Sequence, residues 1–165
     1  MNATLKKNAD AHLSRYLTFF IGEEQYGLNI TSVKEIIASM NITAVPKTPS
    51  YIKGVINLRG AVIPVIDVRL KFGLSEKPHD VNTAIIINAI DGVLIGFIVD
   101  RVEDVLSISA ANLTEAPRFG THVDTSFIEN VAEVQDHVIM ILNLKRIFET
   151  NELIDITSIE KKQEQ

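Results

Sequence analysis

Short runs of apolar residues, many of them β-branched, alternate with turn-forming residues along most of the chain. Ile and Val lose rotamer freedom in a helix and pack well on a pleated sheet, so the pattern predicts strands. Two-residue turn signals, Arg59-Gly60 and Asp91-Gly92, each separate two apolar runs. The predicted strands are residues 16–21, 25–30, 33–38, 41–45, 55–58, 61–68, 83–90, 93–99, 102–108, 127–134 and 137–144. The sequence therefore predicts an all-β protein.

The two ends of the chain are polar and differ from the strand-rich middle. Residues 1–15 contain no apolar stretch and predict a flexible leader rather than a secretory signal. Residues 149–165 are the tail, in which residues 151–162 predict a C-terminal helix with a charged, frayed end. Residues 50–54 predict one short helical turn. The folded domain is therefore expected to extend over residues 16–148.

The chain can be aligned with itself, which indicates an internal duplication. The aligned pairs are residues 26–30 with 95–99, 33–36 with 102–105, 51–55 with 127–131, 62–67 with 138–143, and Phe72 with Phe148. One copy spans residues 16–72 and the other 83–148, and strands can be exchanged between them. Short strands in each copy suit an SH3-like barrel, and two small units bury a better core together. A chance match between segments rich in Ile and Val is the alternative.

Composition narrows the classes of function. The net charge is −5 and the basic residues are scattered, so the basic stripe that a nucleic-acid-binding protein needs is missing. The chain has no cysteine, which excludes disulfides, thiol catalysis and cysteine-ligated zinc. The longest apolar runs, such as residues 62–66, are too short to span a bilayer, and no membrane insertion is expected.

Residues that could carry chemistry are few and dispersed. The four histidines are His12, His79, His122 and His137, and no two of them have metal-ligand spacing with a carboxylate. Asp67 and Asp100 follow apolar strands, where catalytic carboxylates occur, but they can equally end the strands and cap the next turn. Phosphate-binding and nucleophile-elbow motifs are missing. We therefore expect no catalytic residue, no metal site and no cofactor.

Two segments indicate an interaction surface instead. Side chains alternate along a strand, so Ile36 and Ile37 cannot both face inward, and one of them should lie on the surface. Gly60 permits a left-handed turn that presents Arg59 at its tip. An arginine there can bind a carboxylate through two hydrogen bonds, and Glu35 is a candidate partner. Arginine among apolar residues is typical of interface hot spots, although an ordinary surface charge and a core isoleucine are the alternative.

Residues 57–69, Asn-Leu-Arg-Gly-Ala-Val-Ile-Pro-Val-Ile-Asp-Val-Arg, resemble the signature of CheW-type chemotaxis coupling proteins. The family pattern is N-L-R-G-x-[IV]-[IV]-P-[IV]-[IV]-D-L-R. Supporting matches surround it at residues 25–30, 33–36, 49–54, 96–100 and 102–105. The resemblance runs from residue 16 to residue 148. It departs from the family where Asn143 replaces a frequent Asp, and where residues 110–117 contain less proline than usual.

The resemblance implies two intertwined five-stranded SH3-like barrels with short helical segments and a C-terminal helix. It implies a non-enzymatic scaffold that links the cytoplasmic tips of chemoreceptors, the methyl-accepting chemotaxis proteins, to the histidine kinase CheA and controls its activity. It implies a cytoplasmic protein in receptor arrays at the inner face of the cell membrane. Self-association within the rings of an array would be a further interaction.

The resemblance also implies a coupling surface for receptor and kinase. By position, Glu35 and Arg59 match residues of that surface, and Gly60 forms the structural turn. The matched apolar positions near the groove between the barrels are Val33, Ile36 and Val105. We expect receptor contacts in the groove and kinase contacts at the barrel ends.

Three other interpretations remain. A small hydrolase or isomerase would use Asp67 or Asp100 in a deep pocket lined by carboxylates with raised pKa values. A binder of proline-rich peptides would need an aromatic groove, which 6% aromatic residues and no Trp supply poorly. A CheW-like domain of a larger protein would have receiver or kinase modules, for which 165 residues leave no room.

Overall fold

The computed structural model describes residues 13–116 and 126–147, and within them the chain is mostly strand. The strands are β1 (Leu13–Ile21), β2 (Glu24–Asn29), β3 (Val33–Ala38), β4 (Ile52–Leu58), β5 (Ala61–Asp67), β6 (Ala84–Ile90), β7 (Val93–Val99), β8 (Arg101–Ser109), β9 (Leu113–Glu115), β10 (Ile128–Val134) and β11 (His137–Leu142). The helices are α1 (Val68–Lys71) and α2 (Leu144–Ile147), with 3-10 turns at Ile30–Ser32 and Ala110–Asn112. The all-β prediction is confirmed.

Several predicted boundaries differ from the structure. The predicted strand 41–45 is wrong, because only Thr43 makes a bridge, with Val55. The strand predicted at 61–68 ends one residue early, since the Asp67 carboxylate accepts a hydrogen bond from the Leu70 N–H and starts α1. The turn predicted at residues 50–54 is shorter, because β4 begins at Ile52.

Element boundaries near the ends of the chain also differ from the prediction. β1 begins at Leu13, inside the residues predicted as a leader. The last predicted strand stops before Leu144, because the Asn143 side chain accepts hydrogen bonds from the first N–H groups of α2. The predicted helix at residues 151–162 lies outside the described residues.

The strands form two sheets, and each sheet combines strands from both predicted copies. One sheet has five strands in the order β3-β6-β7-β5-β4, and the other has six in the order β8-β1-β2-β11-β10-β9. The first two strands therefore belong with the last four, while β3 to β7 form the middle sheet. The six-stranded sheet exceeds the expected five because the short β9 adds to β10.

The two sheets have equivalent strand orders. If β3, β6, β7, β5 and β4 are replaced by β8, β1, β2, β11 and β10, one order becomes the other. The registers agree as well, because Val65 pairs with Gly96 and the aligned residue Ile141 pairs with Gly27, in parallel strands in both cases. This agreement supports the duplication at residues 16–72 and 83–148, which we retain as a proposal.

The buried apolar residues form three clusters. The largest, here called the shared core, lies between the sheets and includes Phe19 and Leu28 from one sheet and Ile86 and Phe97 from the other. A second lies within the five-stranded sheet around Val65, and a third within the six-stranded sheet. Each fully buried side chain of this size contributes about 1.5–3 kcal/mol, so the shared core is what makes the two sheets one unit.

Candidate functional site

The turn between β4 and β5 presents Arg59 to solvent. Leu58 pairs with Ala61, so Arg59 and Gly60 form a two-residue hairpin loop. Both have positive φ, 52° and 87°, as a type I′ turn requires. The Gly60 N–H donates to the Asn57 Oδ1 at 2.9 Å and closes the turn. The sequence Asn-Leu-Arg-Gly therefore fixes the position of the arginine through its own backbone.

Arg59 forms a two-point ion pair with Glu35 on β3. Its Nη1 donates to Glu35 Oε1 at 3.1 Å, and its Nη2 contacts Oε2. The Arg59 side chain is 71% exposed, and that of Glu35 is 32% exposed. The hydrogen bond from Arg59 lowers the pKa of the Glu35 carboxyl, and the same bond raises the pKa of the Arg59 guanidinium. Both groups are therefore charged at neutral pH, with part of the guanidinium facing outward.

An apolar hollow of about 500 Å³ lies beside this ion pair, and we call it the barrel mouth. Lys34, Glu35 and Arg59 stand on its lining with a set of apolar side chains. The apolar lining residues are Leu58, Ala61, Ile63, Ile87 and Leu94. A charged pair next to an open apolar hollow is an arrangement that suits docking of a partner side chain.

The β3 strand divides its side chains between two faces. Ile36 is 44% exposed and pairs with Ile86 of the shared core. Ile37 pairs with Ile85 and packs against the core within the five-stranded sheet. The prediction that one of the two adjacent isoleucines is exposed is confirmed. Glu35 pairs with Ile87, so it lies on the same side as the barrel mouth.

Val33 and Val105 lie at the rim of the shared core. Each is partly buried against it, Val33 from β3 and Val105 from β8. These strands are edge strands of the two different sheets. The predicted site residues therefore separate into two groups. Glu35 and Arg59 line the barrel mouth, and Gly60 lies in the same turn as Arg59. Val33 and Val105 pack at the rim of the shared core, here called the seam, and Ile36 is exposed beside its partner Ile86 of that core.

The residues considered for catalysis serve the structure. Asp67 is 2% exposed and caps α1. Asp100 accepts hydrogen bonds from Arg69 Nη1 at 2.6 Å and from the Gly22 N–H at 2.7 Å. Among the described residues, no group of three or more His, Cys, Asp or Glu side chains is placed to hold a metal ion.

The two described histidines, His79 and His137, do not line the barrel mouth. His79 Nδ1 lies 3.1 Å from the Ser39 hydroxyl on an exposed surface, and His137 is exposed at the start of β11. His12 and His122 lie outside the described residues.

Sequence reasoning missed most of the barrel mouth. Leu94 and Ile87 come from β7 and β6, which are distant in sequence from the Arg59 turn. Lys34 lines the same hollow, although nothing in the sequence sets it apart from the rest of the β3 segment. The sequence alignment of the two copies identifies equivalent segments, but it does not say which apolar residues line a hollow at the end of a barrel.

The family model described as CheW-like domain matches residues 15–152. The chain belongs to the CheW family. The chemotaxis protein CheW of Klebsiella aerogenes is 31% identical over 160 residues, which covers 96% of each chain. The CheW of Bacillus subtilis is 33% identical and covers 82% of this chain and 86% of that protein.

A solved structure supports the same fold. The scaffolding protein TtCheW from Thermoanaerobacter tengcongensis is 39% identical, with a TM-score of 0.77, and the match covers 85% of this chain and 95% of that chain. Membership of the CheW family places the chain among chemotaxis coupling proteins, a class of scaffolds and adaptors. Within the described residues, no helix is long and apolar enough to cross a bilayer.

Proposed function

We propose that this CheW-family chain is a non-enzymatic scaffold that couples the cytoplasmic tips of chemoreceptors to the histidine kinase CheA and controls its activity. It would act in the cytoplasm, in receptor arrays at the inner face of the cell membrane. The observation that carries the proposal is the Glu35–Arg59 pair beside the barrel mouth, in a chain of this family. An open apolar hollow next to an oriented arginine offers a partner both buried area and a fixed charge.

The two groups of site residues give the scaffold two separate surfaces. The seam side, with Val33, Ile36 and Val105, is assigned to the receptor, and the barrel mouth, with Glu35 and Arg59, to the kinase. Separate surfaces allow both partners to bind at once, as coupling requires. The scaffold would change the kinase by shifting its populations through differential contacts, since a ligand shifts an equilibrium only by its difference in affinity for the states. Self-association in array rings would use the same kind of barrel-end contact.

The test measures binding and kinase activation with purified receptor fragment and CheA. Glu35→Ala and Arg59→Ala should leave the fold intact and weaken kinase binding by roughly tenfold, the loss typical of a truncated interface arginine. Ile36→Lys should weaken receptor binding while kinase binding is retained. This contrast assigns each partner to one surface.

Asp91→Ala is a matched control for Arg59→Ala. Asp91 also begins a two-residue turn before a glycine, with a φ of 50°, and it also forms an exposed ion pair, with Lys145 at 3.1 Å. Backbone strain and loss of a surface ion pair therefore affect both variants alike. Undiminished binding and kinase activation in Glu35→Ala and Arg59→Ala, or an equal loss in Asp91→Ala, would contradict the proposal.

A further inference from the structure

A second recess lies away from the barrel mouth and shares no lining residue with it. It has a volume of about 510 Å³ and is lined by three cations, Arg69, Lys77 and Arg101, and two carboxylates, Asp80 and Asp100. We call it the basic recess. Its lining carries three cations against two carboxylates, and a third carboxylate, that of Glu103, lies outside the lining and 3.7 Å from Arg101. The lining is therefore more cationic than the whole chain, which has a net charge of −5.

The back of the basic recess is a fixed ion pair. The Asp100 side chain is 13% exposed, and one of its oxygens accepts from both Arg69 Nη1 and the Gly22 N–H. Arg69 also donates its Nε–H to the Ser75 carbonyl at 2.8 Å. The charge of Asp100 is therefore neutralised by Arg69. The cations that face the opening are then Lys77 and Arg101.

Within residues 13–116 and 126–147, these two cations are only loosely paired. Lys77 Nζ is 3.7 Å from an Asp80 oxygen, and Arg101 Nη1 is 3.7 Å from a Glu103 oxygen. Both separations exceed hydrogen-bond distance, and the two cationic side chains are about half exposed, 47% and 50%. Long exposed pairs of this kind contribute little, so a better placed carboxylate can replace them.

Arg101 is also held in place by an aromatic ring. Its guanidinium carbon lies 4.3 Å from the centre of the Phe20 ring, which also lines the recess. This contact orients the guanidinium without using its hydrogen-bond donors. An oriented arginine with donors to spare loses less entropy when it binds a carboxylate.

We propose that the basic recess docks an acidic segment of a protein partner, whose Asp or Glu carboxylate binds between Lys77 and Arg101. The volume accommodates a side chain, and the cations supply charge complementarity. Nucleic acid fits poorly, because the net charge of −5 repels an extended polyanion outside this small patch. The inference concerns a surface apart from Glu35 and Arg59, and it does not depend on the proposed coupling function.

The test uses the full chain and a fluorescein-labelled hexaglutamate peptide, with fluorescence anisotropy read at low salt. Lys77→Glu and Arg101→Glu should each weaken binding about fivefold, the upper end of the range for one exposed ion pair. Lys47→Glu and Arg146→Glu change the net charge equally at exposed positions outside the recess, and should have less than half that effect.

Asp80→Asn tests the same proposal with an expected increase in peptide affinity. It removes a competing carboxylate from the recess, while the side-chain oxygen that accepts from the Asn82 N–H is retained. Binding of the peptide should become tighter by about twofold or more. Equal losses in the recess and control variants, or unchanged binding in Asp80→Asn, would overturn the inference. Arg59→Ala should bind the peptide like the unmodified chain, so failure here is distinguishable from failure of the coupling proposal.

Discussion

Replacing Gly54 with alanine tests how the five-stranded sheet is closed. Gly54 has a φ of +142°, a conformation that L side chains rarely adopt. A Cβ atom added there would lie 2.0 Å from the Thr43 carbonyl oxygen, whereas real Cβ contacts stay beyond 3.0 Å. The segment that contains Thr43 is held by two backbone hydrogen bonds with Val55, of 2.9 and 2.8 Å. Alanine therefore forces that segment away from β4.

The expected loss of stability follows from these contacts. Two backbone hydrogen bonds contribute about 1 kcal/mol each. The backbone conformation costs a non-glycine residue about 1–3 kcal/mol. Alanine returns up to about 1 kcal/mol by lowering the entropy of the unfolded chain. Gly54→Ala should thus lower the free energy of unfolding by about 2–5 kcal/mol.

Gly60→Ala separates the clash from the backbone strain. Gly60 also has a positive φ, 87°, but no atom lies within 4 Å of the position that a Cβ atom would occupy there. Only the strain remains, and the loss should be about 1 kcal/mol. Urea denaturation followed by far-ultraviolet circular dichroism measures both variants. Equal losses in the two variants would refute the claim that the contact with Thr43 closes the sheet.

Other predictions concern buried and charged groups. Asn88→Leu should raise the free energy of unfolding by about 1 kcal/mol in the same assay. Within the described residues its Oδ1 is buried without a partner, at a cost of about 1–3 kcal/mol, which exceeds the roughly 1 kcal/mol lost with the hydrogen bond from its Nδ2 to the Ile86 carbonyl; a lower value contradicts this. Asp100→Ala should lower it by about 2–3 kcal/mol, because Arg69 and a backbone N–H lose their acceptor; an unchanged midpoint contradicts this. The pKa of Glu35 is lowered in the folded state, so its stabilising contribution is complete above the unfolded pKa and is lost as pH falls through the folded pKa. NMR titration should find that this pKa rises in Arg59→Ala, and an unchanged pKa would mean that the ion pair does not form in solution.

The features that the sequence predicted are mainly local. Arg59-Gly60 and Asp91-Gly92 both form two-residue turns with positive φ, because the second residue of each is a glycine, which adopts that conformation without strain. The alternation of β3 exposes Ile36 for the same kind of reason, since side-chain direction follows from the strand alone. The pairing of Arg59 with Glu35 needed only the assumption that β3 lies near this turn.

The features that the sequence could not predict depend on distant partners. Alternation assigns faces to β1 and β2, but not the sheet that they join, because either sheet would bury the same apolar residues. The barrel mouth depends on Leu94 and Ile87 ending near a turn from a different part of the chain. Helices α1 and α2 each begin where a single side chain, of Asp67 or Asn143, accepts hydrogen bonds from the first turn. The sequence did not predict these helix starts, because the apolar residues around each capping residue predict a longer strand.

The exchange of strands constrains how a scaffold of this kind can carry a signal. In the described part of the chain, the backbone passes between the sheets after β2 and again after β7, at Asp100. Both sheets also contribute to the shared core, whose side chains are closely packed and resist gradual deformation. Moving one barrel against the other would open that core and break the Asp100 contacts. We therefore expect the two barrels to move as one body. Under the function that we propose, a receptor at the seam would then reach a kinase at the barrel mouth through a change in docking geometry.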